Sequence, residues 1–131
     1  MKKLWIVVLG LLLIGCKQPV ANDLNQVEEE ASYRRINAQE AFNMMTEDVI
    51  ILDVRTKEEY LEGHIANSLL LPVDDILAGK LDMLMDKGQV ILVYCRSGNR
   101  SRTAAMALVE AGYSQVYDFG GIRDWPYDIV E

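Results

Sequence analysis

QVILVYCRSGNRSRTAAMALVEAG, residues 89–112, decides the fold. After Gln89 the run to Cys95 is apolar throughout, the pattern of a strand buried on both faces of a parallel sheet. The polar loop Arg96-Ser97-Gly98-Asn99-Arg100 follows, and Ser101 to Ala111, rich in alanine, reads as a helix closed by Gly112. Strand, short loop and helix in this order form the repeating unit of parallel α/β sheets, whose ligands bind beyond the carboxyl ends of the strands. Cys95 stands at one of those ends.

The same alternation continues on both sides. VIILDV at 49–54 is a second buried strand, SLLLPV at 68–73 a short third, and VYDF at 116–119 a last one. Asn37-Ala38-Gln39-Glu40 and Thr56-Lys57-Glu58-Glu59 both have capping-box spacing, so a helix is expected to open at each. The first places Ala41, Met44 and Met45 on one face; the second stops near Gly63. Asp74 or Asp75 is expected to cap a helix reaching about Met85, with Met83 and Met85 in its packing. Gly120-Gly121 is expected to turn the chain, and GGIRDW at 120–125 to begin a short terminal helix. The pattern predicts one α/β domain over residues 33–131.

Composition narrows the possible functions. The 131 residues suit a single domain, since domains most often run to about 100–150 residues. With 13 Lys and Arg against 20 Asp and Glu, a formal charge of −7, the chain lacks the cationic footprint of nucleic-acid binding. Half the residues are hydrophobic, which excludes disorder as the dominant state. Two cysteines and one histidine supply neither a disulfide framework nor a four-ligand zinc site, so no metal is expected.

Residues 4–15 read LWIVVLGLLLIG behind Lys2 and Lys3. Twelve apolar residues are too few to span a bilayer as a helix, which takes about 20, but suit the apolar core of an export signal. Leu13-Ile14-Gly15-Cys16 resembles the lipobox of bacterial lipoprotein precursors, although Ile14 is bulkier than the usual Ala or Ser. That resemblance implies cleavage before Cys16, a lipid on its sulfur, and a domain held at the membrane in a bacterial periplasm. An uncleaved anchor or a plain signal peptide are the alternatives. Removing residues 1–15 leaves 11 cations against 20 acids, or −9, and a single free thiol, Cys95. Residues 16–32 lack apolar periodicity, include three consecutive acids, and read as a flexible tether.

Cysteine is among the most buried residue types, and one that ends an apolar strand is commonly inert packing. Around Cys95, however, Arg96, Arg100 and Arg102 fall within seven residues, in a chain that is otherwise acidic. A short Gly-, Ser- and Asn-bearing loop can turn its N–H groups inward, and the helix behind it adds unpaired N–H groups and the positive end of its dipole. Such surroundings favour thiolate, the nucleophilic form.

Three separated motifs carry a more specific resemblance: Leu52-Asp53-Val54-Arg55 with Glu59-Tyr60 and Gly63-His64-Ile65-Ala66-Asn67-Ser68; Cys95 through Arg100; and Gly120-Gly121-Ile122-Arg123-Asp124-Trp125. In this order and spacing they resemble the rhodanese-like sulfurtransferases, of the single-domain thiosulfate type. The resemblance implies a three-layer α/β fold, a five-stranded parallel sheet flanked by helices. It also implies that Cys95 attacks the outer sulfur of a small anionic donor such as thiosulfate and carries it as a persulfide. A thiophilic acceptor, cyanide or a cellular or protein thiol, then takes the sulfur. Arg96 would help bind the donor, and the N–H groups of Arg96, Ser97, Gly98, Asn99 and Arg100 would stabilise the persulfide. Arg100 would add potential and select substrate, and no organic cofactor is implied.

Phosphatases related to this family use Cys-x5-Arg, whereas Arg100 gives Cys-x4-Arg here and the longer spacing lands on Ser101. A non-catalytic module that carries sulfur or binds a partner remains open. A redox relay would need intermolecular disulfides, for want of a resolving cysteine. Asp53 and Arg55 are read as structural, with Arg55 pairing Glu58 or Glu59, and His64 as part of a turn. Trp125 is expected to close the core.

Overall fold

The computed structural model describes residues 32–131. Residues 1–15, Cys16 and the tether 16–32, apart from Ser32, lie outside the described residues. Among those described, no helix is long and apolar enough to cross a membrane.

The elements run β1 (Arg34–Arg35), α1 (Ala38–Met44), β2 (Ile50–Asp53), α2 (Lys57–Glu62), β3 (Leu69–Leu70), α3 (Val73–Leu77), β4 (Val90–Cys95), α4 (Asn99–Glu110), β5 (Gln115–Gly121) and a 3₁₀ turn, Ile122–Asp124. The five strands form one sheet in the order β1-β5-β4-β2-β3, with every pairing parallel. The expected fold is therefore the observed one, and β4, which carries Cys95, lies at its centre.

Alternation along the strands divides the core in two. Leu52, Val54, Ile91, Val93 and Cys95 pack with Ile76 of α3 and Ala104, Ala105 and Leu108 of α4. Ile51, Leu92, Tyr94 and Phe119 face the other way, onto Ala41 of α1 and Ile65, with Trp125 against them. A central strand covered on both faces needs apolar residues at every position, which is why 90–95 lacks the alternation of a half-exposed strand.

Both capping boxes form: the Asn37 side chain accepts from the Glu40 N–H at 2.8 Å, and Thr56 Oγ1 from the Glu59 N–H at 3.2 Å. Several element boundaries differ from expectation. The helix expected to reach Met85 ends at Leu77, because Gly79 takes a left-handed φ of +76° and turns the chain. Pro72 caps that helix, while Asp74 and Asp75 lie in its first turn. Met83 and Met85 are outside it and exposed, with Leu84 between them buried. Helix α4 starts at Asn99 rather than Ser101, so Asn99 and Arg100 belong to its first turn. Gly120 and Gly121 extend β5 instead of turning the chain, and the terminal helix is a single 3₁₀ turn. The short edge strand β1 was not expected, since both its residues are charged and exposed.

Candidate active site

Cys95 ends β4 with 1% of its surface exposed. Beyond it Arg96 and Ser97 are exposed, and Gly98 adopts φ +108°, a left-handed conformation that glycine adopts without a Cβ clash. This twist aims the Gly98 N–H back at the sulfur, 3.0 Å from Sγ. Burial pushes the Cys95 thiol up, but the Ser101 hydroxyl and the N–H groups of Ser101, Gly98 and Ser97 outweigh it and hold the thiol below its ordinary value. The sulfur therefore sits in a nest of donors that favours its anion.

The loop is fixed from below by the end of β5. Arg96 O accepts from the Arg123 N–H at 3.2 Å, and Gly121 lies directly against the Arg96 carbonyl and Ser97 Cα. Between Val93 and Cys95 the register with β5 slips: Val93 pairs with Asp118 but Cys95 with Gly121. The extra residue on β5 is taken up by Gly120 at φ +89°, and the resulting bulge brings Gly121 under the loop. Sequence reasoning assigned these glycines to a turn; their role at the loop appears only once β5 and β4 are paired.

The arginines separate in space. Arg96 is exposed and lines a cavity of about 300 Å³ with Arg55, Arg123, Glu59, Glu62 and Ile122. Arg102 is exposed on α4. Arg100 is clamped by Glu59 of α2, Nη1 to Oε1 at 2.6 Å and Nη2 to Oε2 at 2.9 Å. Its charge still acts on the Cys95 sulfur, but its fork is already occupied. Arg123 was not anticipated; it joins the cavity because the 3₁₀ turn hydrogen-bonds to Arg96.

The Arg100 fork and two bonds from Thr56 pull Glu59 from 4.5 to about 2, against its burial. Because the folded-state value lies below the ordinary one, the pair contributes stability above about pH 4.5 and loses it as pH falls toward 2. The two side chains are 34% and 23% exposed, so screening holds the contribution to about 1 kcal/mol or less. Urea midpoints measured from pH 6 down to about 2 are expected to converge for wild type and Glu59→Gln.

Arg55 does not pair with Glu58 or Glu59. Asp53, two residues back on the same face of the chain, takes it bidentately, Nε to Oδ1 at 3.0 Å and Nη2 to Oδ2 at 2.7 Å. Arg55 Nη2 also donates to Gly63 O at 2.6 Å, and the Tyr94 hydroxyl donates to Asp53 Oδ2 at 2.7 Å. His64 stacks on Tyr60 with ring centroids 3.7 Å apart, and its backbone pairs with Val130 in an isolated antiparallel bridge, so it lies ahead of the turn at Ala66–Asn67 rather than within it.

A small α/β domain whose central parallel strand delivers a buried cysteine to the start of a strand-to-helix loop defines a class, that of α/β domains centred on a loop cysteine. A rhodanese-like domain model matches residues 37–127, and the chain belongs to the rhodanese-like family. It is 37% identical to the thiosulfate sulfurtransferase GlpE of Coxiella burnetii over 95 residues, 71% of this chain and 87% of that protein. It is 29% identical to the putative sulfur carrier protein YrkF of Bacillus subtilis, covering 80% of this chain and 52% of the relative. Among solved structures, a rhodanese-related protein from Thermoplasma volcanium superposes with a TM-score of 0.65 at 32% identity, covering 75% of this chain and 98% of that one.

Proposed function

We propose that this chain is a sulfurtransferase in which Cys95 is the nucleophile and the persulfide carrier. The Gly98 N–H at 3.0 Å from Sγ carries the reading, since an inert core cysteine has no need of a donor aimed at its sulfur. The Cys95 thiolate attacks the outer sulfur of thiosulfate. A new S–S bond forms, the old one breaks, and sulfite leaves with its electron pair. The outer sulfur of the Cys95 persulfide then carries the negative charge, and the N–H groups of residues 96–100, with that of Gly98 already 3.0 Å from Sγ, would stabilise it. Cyanide or a thiolate takes that sulfur, and its electron attack returns Cys95 to the thiolate. No resident metal or organic cofactor takes part in either step.

Arg96, with Arg55 and Arg123 beside the same cavity, is the group that receives the donor's sulfonate charge. Arg100 contributes potential from its place against Glu59 and helps shape the loop. Purified protein is expected to release sulfite from thiosulfate and to form thiocyanate in step when cyanide is supplied. Failure to transfer sulfur from any sulfane donor would overturn the reading. A second reading, transfer from a dedicated protein donor, is favoured by the likeness to a putative sulfur carrier protein. Its mark is slow turnover of thiosulfate together with rapid loading by a partner.

We propose also that residues 1–15 direct export, that cleavage precedes Cys16, and that a lipid on Cys16 holds the domain in the periplasm. The support is Leu13-Ile14-Gly15-Cys16 behind a short apolar core with two leading lysines. Radiolabelled palmitate is expected to label the wild type and not Cys16→Ser; an unprocessed Met1 in membrane fractions would contradict this.

A further inference from the structure

We propose that a second cavity beside the loop, walled by Arg35 of β1, is an acceptor subsite, and that it takes a small thiol that is also an amino acid. The assignment rests on Cys95 carrying sulfur and names what relieves it of that sulfur. This cavity, of about 590 Å³, is larger than the one of about 300 Å³ beside Arg96 and shares no lining residue with it. Consecutive residues part between the two: Arg96 and Arg123 open to the smaller, Ser97 and Asp124 to the larger. The Arg123 N–H bond to Arg96 O ties these pairs together, so both cavities border the same junction of loop and 3₁₀ turn. A compact anion such as thiosulfate suits the smaller space, whereas an organic thiol needs more room.

The charges in the larger cavity select its ligand. Among the described residues that line it, Arg35 is the one cation. Its Nη2 lies 3.7 Å and 4.0 Å from where side chains on Gly98 and Gly120 would begin, so it reaches over the loop from the edge strand. Because the Gly98 N–H stands 3.0 Å from Sγ, bond lengths put Nη2 within about 10 Å of the sulfur. A persulfide, an attacking thiol and a carboxylate two carbons behind it bridge that span. The Arg35 side chain is 64% exposed, donates no hydrogen bond among the described residues, and meets Asp118 Oδ2 at 3.9 Å, so its fork is open to a carboxylate. The Arg100 fork, by contrast, is closed by Glu59. The other charges on the wall are two exposed acids, Glu40 of α1 and Asp124 of the 3₁₀ turn. A purely anionic ligand meets two like charges here, and a purely cationic one meets Arg35. A zwitterion satisfies both, with its carboxylate on the Arg35 fork and its ammonium beside Asp124 and Glu40. The thiol loses its proton to solvent and attacks the outer sulfur of the persulfide. A new S–S bond forms, the bond to Cys95 breaks, and Cys95 leaves as thiolate with the electron pair.

The test loads Cys95 of the full chain with thiosulfate and follows, by mass spectrometry of the Cys95 peptide, removal of the added sulfur by cysteine, cysteamine or cyanide. Cysteamine lacks the carboxylate and cyanide has neither charge group of the zwitterion, so each thiol rate is read as a ratio to the cyanide rate. Arg35→Gln is expected to lower the cysteine ratio about tenfold and the cysteamine ratio by less than about twofold. Asp124→Asn is expected to lower both thiol ratios about threefold. An unchanged cysteine ratio in Arg35→Gln, or equal losses for the two thiols, overturns the proposal, as do unchanged ratios in Asp124→Asn. A parallel reaction needs no sulfur donor: the unloaded Cys95 thiolate attacks cystine or cystamine, forms a mixed disulfide and releases the other half as a thiolate. The cystine-to-cystamine rate ratio is expected to fall about tenfold in Arg35→Gln, and an unchanged ratio overturns the proposal. A Cys95 that never loads with sulfur contradicts the sulfur-transfer reading, while the disulfide ratio still decides whether this cavity recognises an amino acid.

Discussion

Replacing Gly121 with alanine is expected to lower kcat/KM for sulfur transfer about a hundredfold and to destabilise the fold by about 1–3 kcal/mol. The cause is spatial rather than torsional. Gly121 has φ −122° and ψ 148°, an extended conformation open to any residue. A Cβ there, however, would stand 2.1 Å from Arg96 O, 2.6 Å from Arg96 C and 2.7 Å from Ser97 Cα, all backbone atoms of the loop that surrounds the sulfur. No side chain can swing aside, so the loop itself must move, and the Gly98 N–H moves with it. A displacement of about 1 Å at a reacting centre is enough for a hundredfold loss. Gly79→Ala is the control: its φ of +76° imposes strain, but nothing lies within 4 Å of the added carbon. It is expected to reduce stability while leaving kcat/KM unchanged. Steady-state kinetics and urea melts of the two variants separate these effects, and wild-type kinetics in Gly121→Ala would remove β5 from its role at the loop.

Arg55→Ala is expected to cost about 3–5 kcal/mol, the usual consequence of removing one partner from a buried ion pair. Asp53 is fully buried and Arg55 is 5% exposed, so the orphaned carboxylate gains no water. It keeps the Tyr94 hydroxyl and the Arg55 N–H, but loses its only close cation among the described residues. The Gly63 carbonyl loses its donor too, which frees the end of α2. Glu59–Arg100 has equally short contacts but stands partly in solvent, and for that reason its removal is expected to be far milder. Urea denaturation of Arg55→Ala and Glu59→Gln at pH 7 checks the ranking; equal losses would show that burial does not set these costs.

Continuous apolar runs made β4 and the first three residues of β2 legible, because a strand covered on both faces has few polar positions to confuse the pattern. Cys95 and its loop were legible from Gly98 and the arginines, which have no reason to gather around a packing cysteine. What stayed hidden depended on pairing across the sheet. Arg35 reads as a surface charge until β1 lies beside β5, where it pairs with Asp118. Asp118 reads as the polar member of VYDF, yet it faces the buried Ser101. Arg100 and Glu59 meet across 41 residues of sequence, so no local spacing joins them. The Asp53–Arg55 pair is different, since residues two apart share one face of an extended chain and that rule alone favoured Asp53 over Glu58 or Glu59. The helix through Met85 was lost to Gly79, whose left-handed turn outweighed the helical spacing around it.

The most direct measurement is mass spectrometry of the Cys95 peptide after incubation with thiosulfate, with and without a cyanide chase. The expected result is a gain of one sulfur atom on Cys95, removed by cyanide and absent from Cys95→Ser. A Cys95 that stays unmodified with thiosulfate and with organic persulfides would contradict the central claim, that this sulfur is held among loop amides in order to carry another.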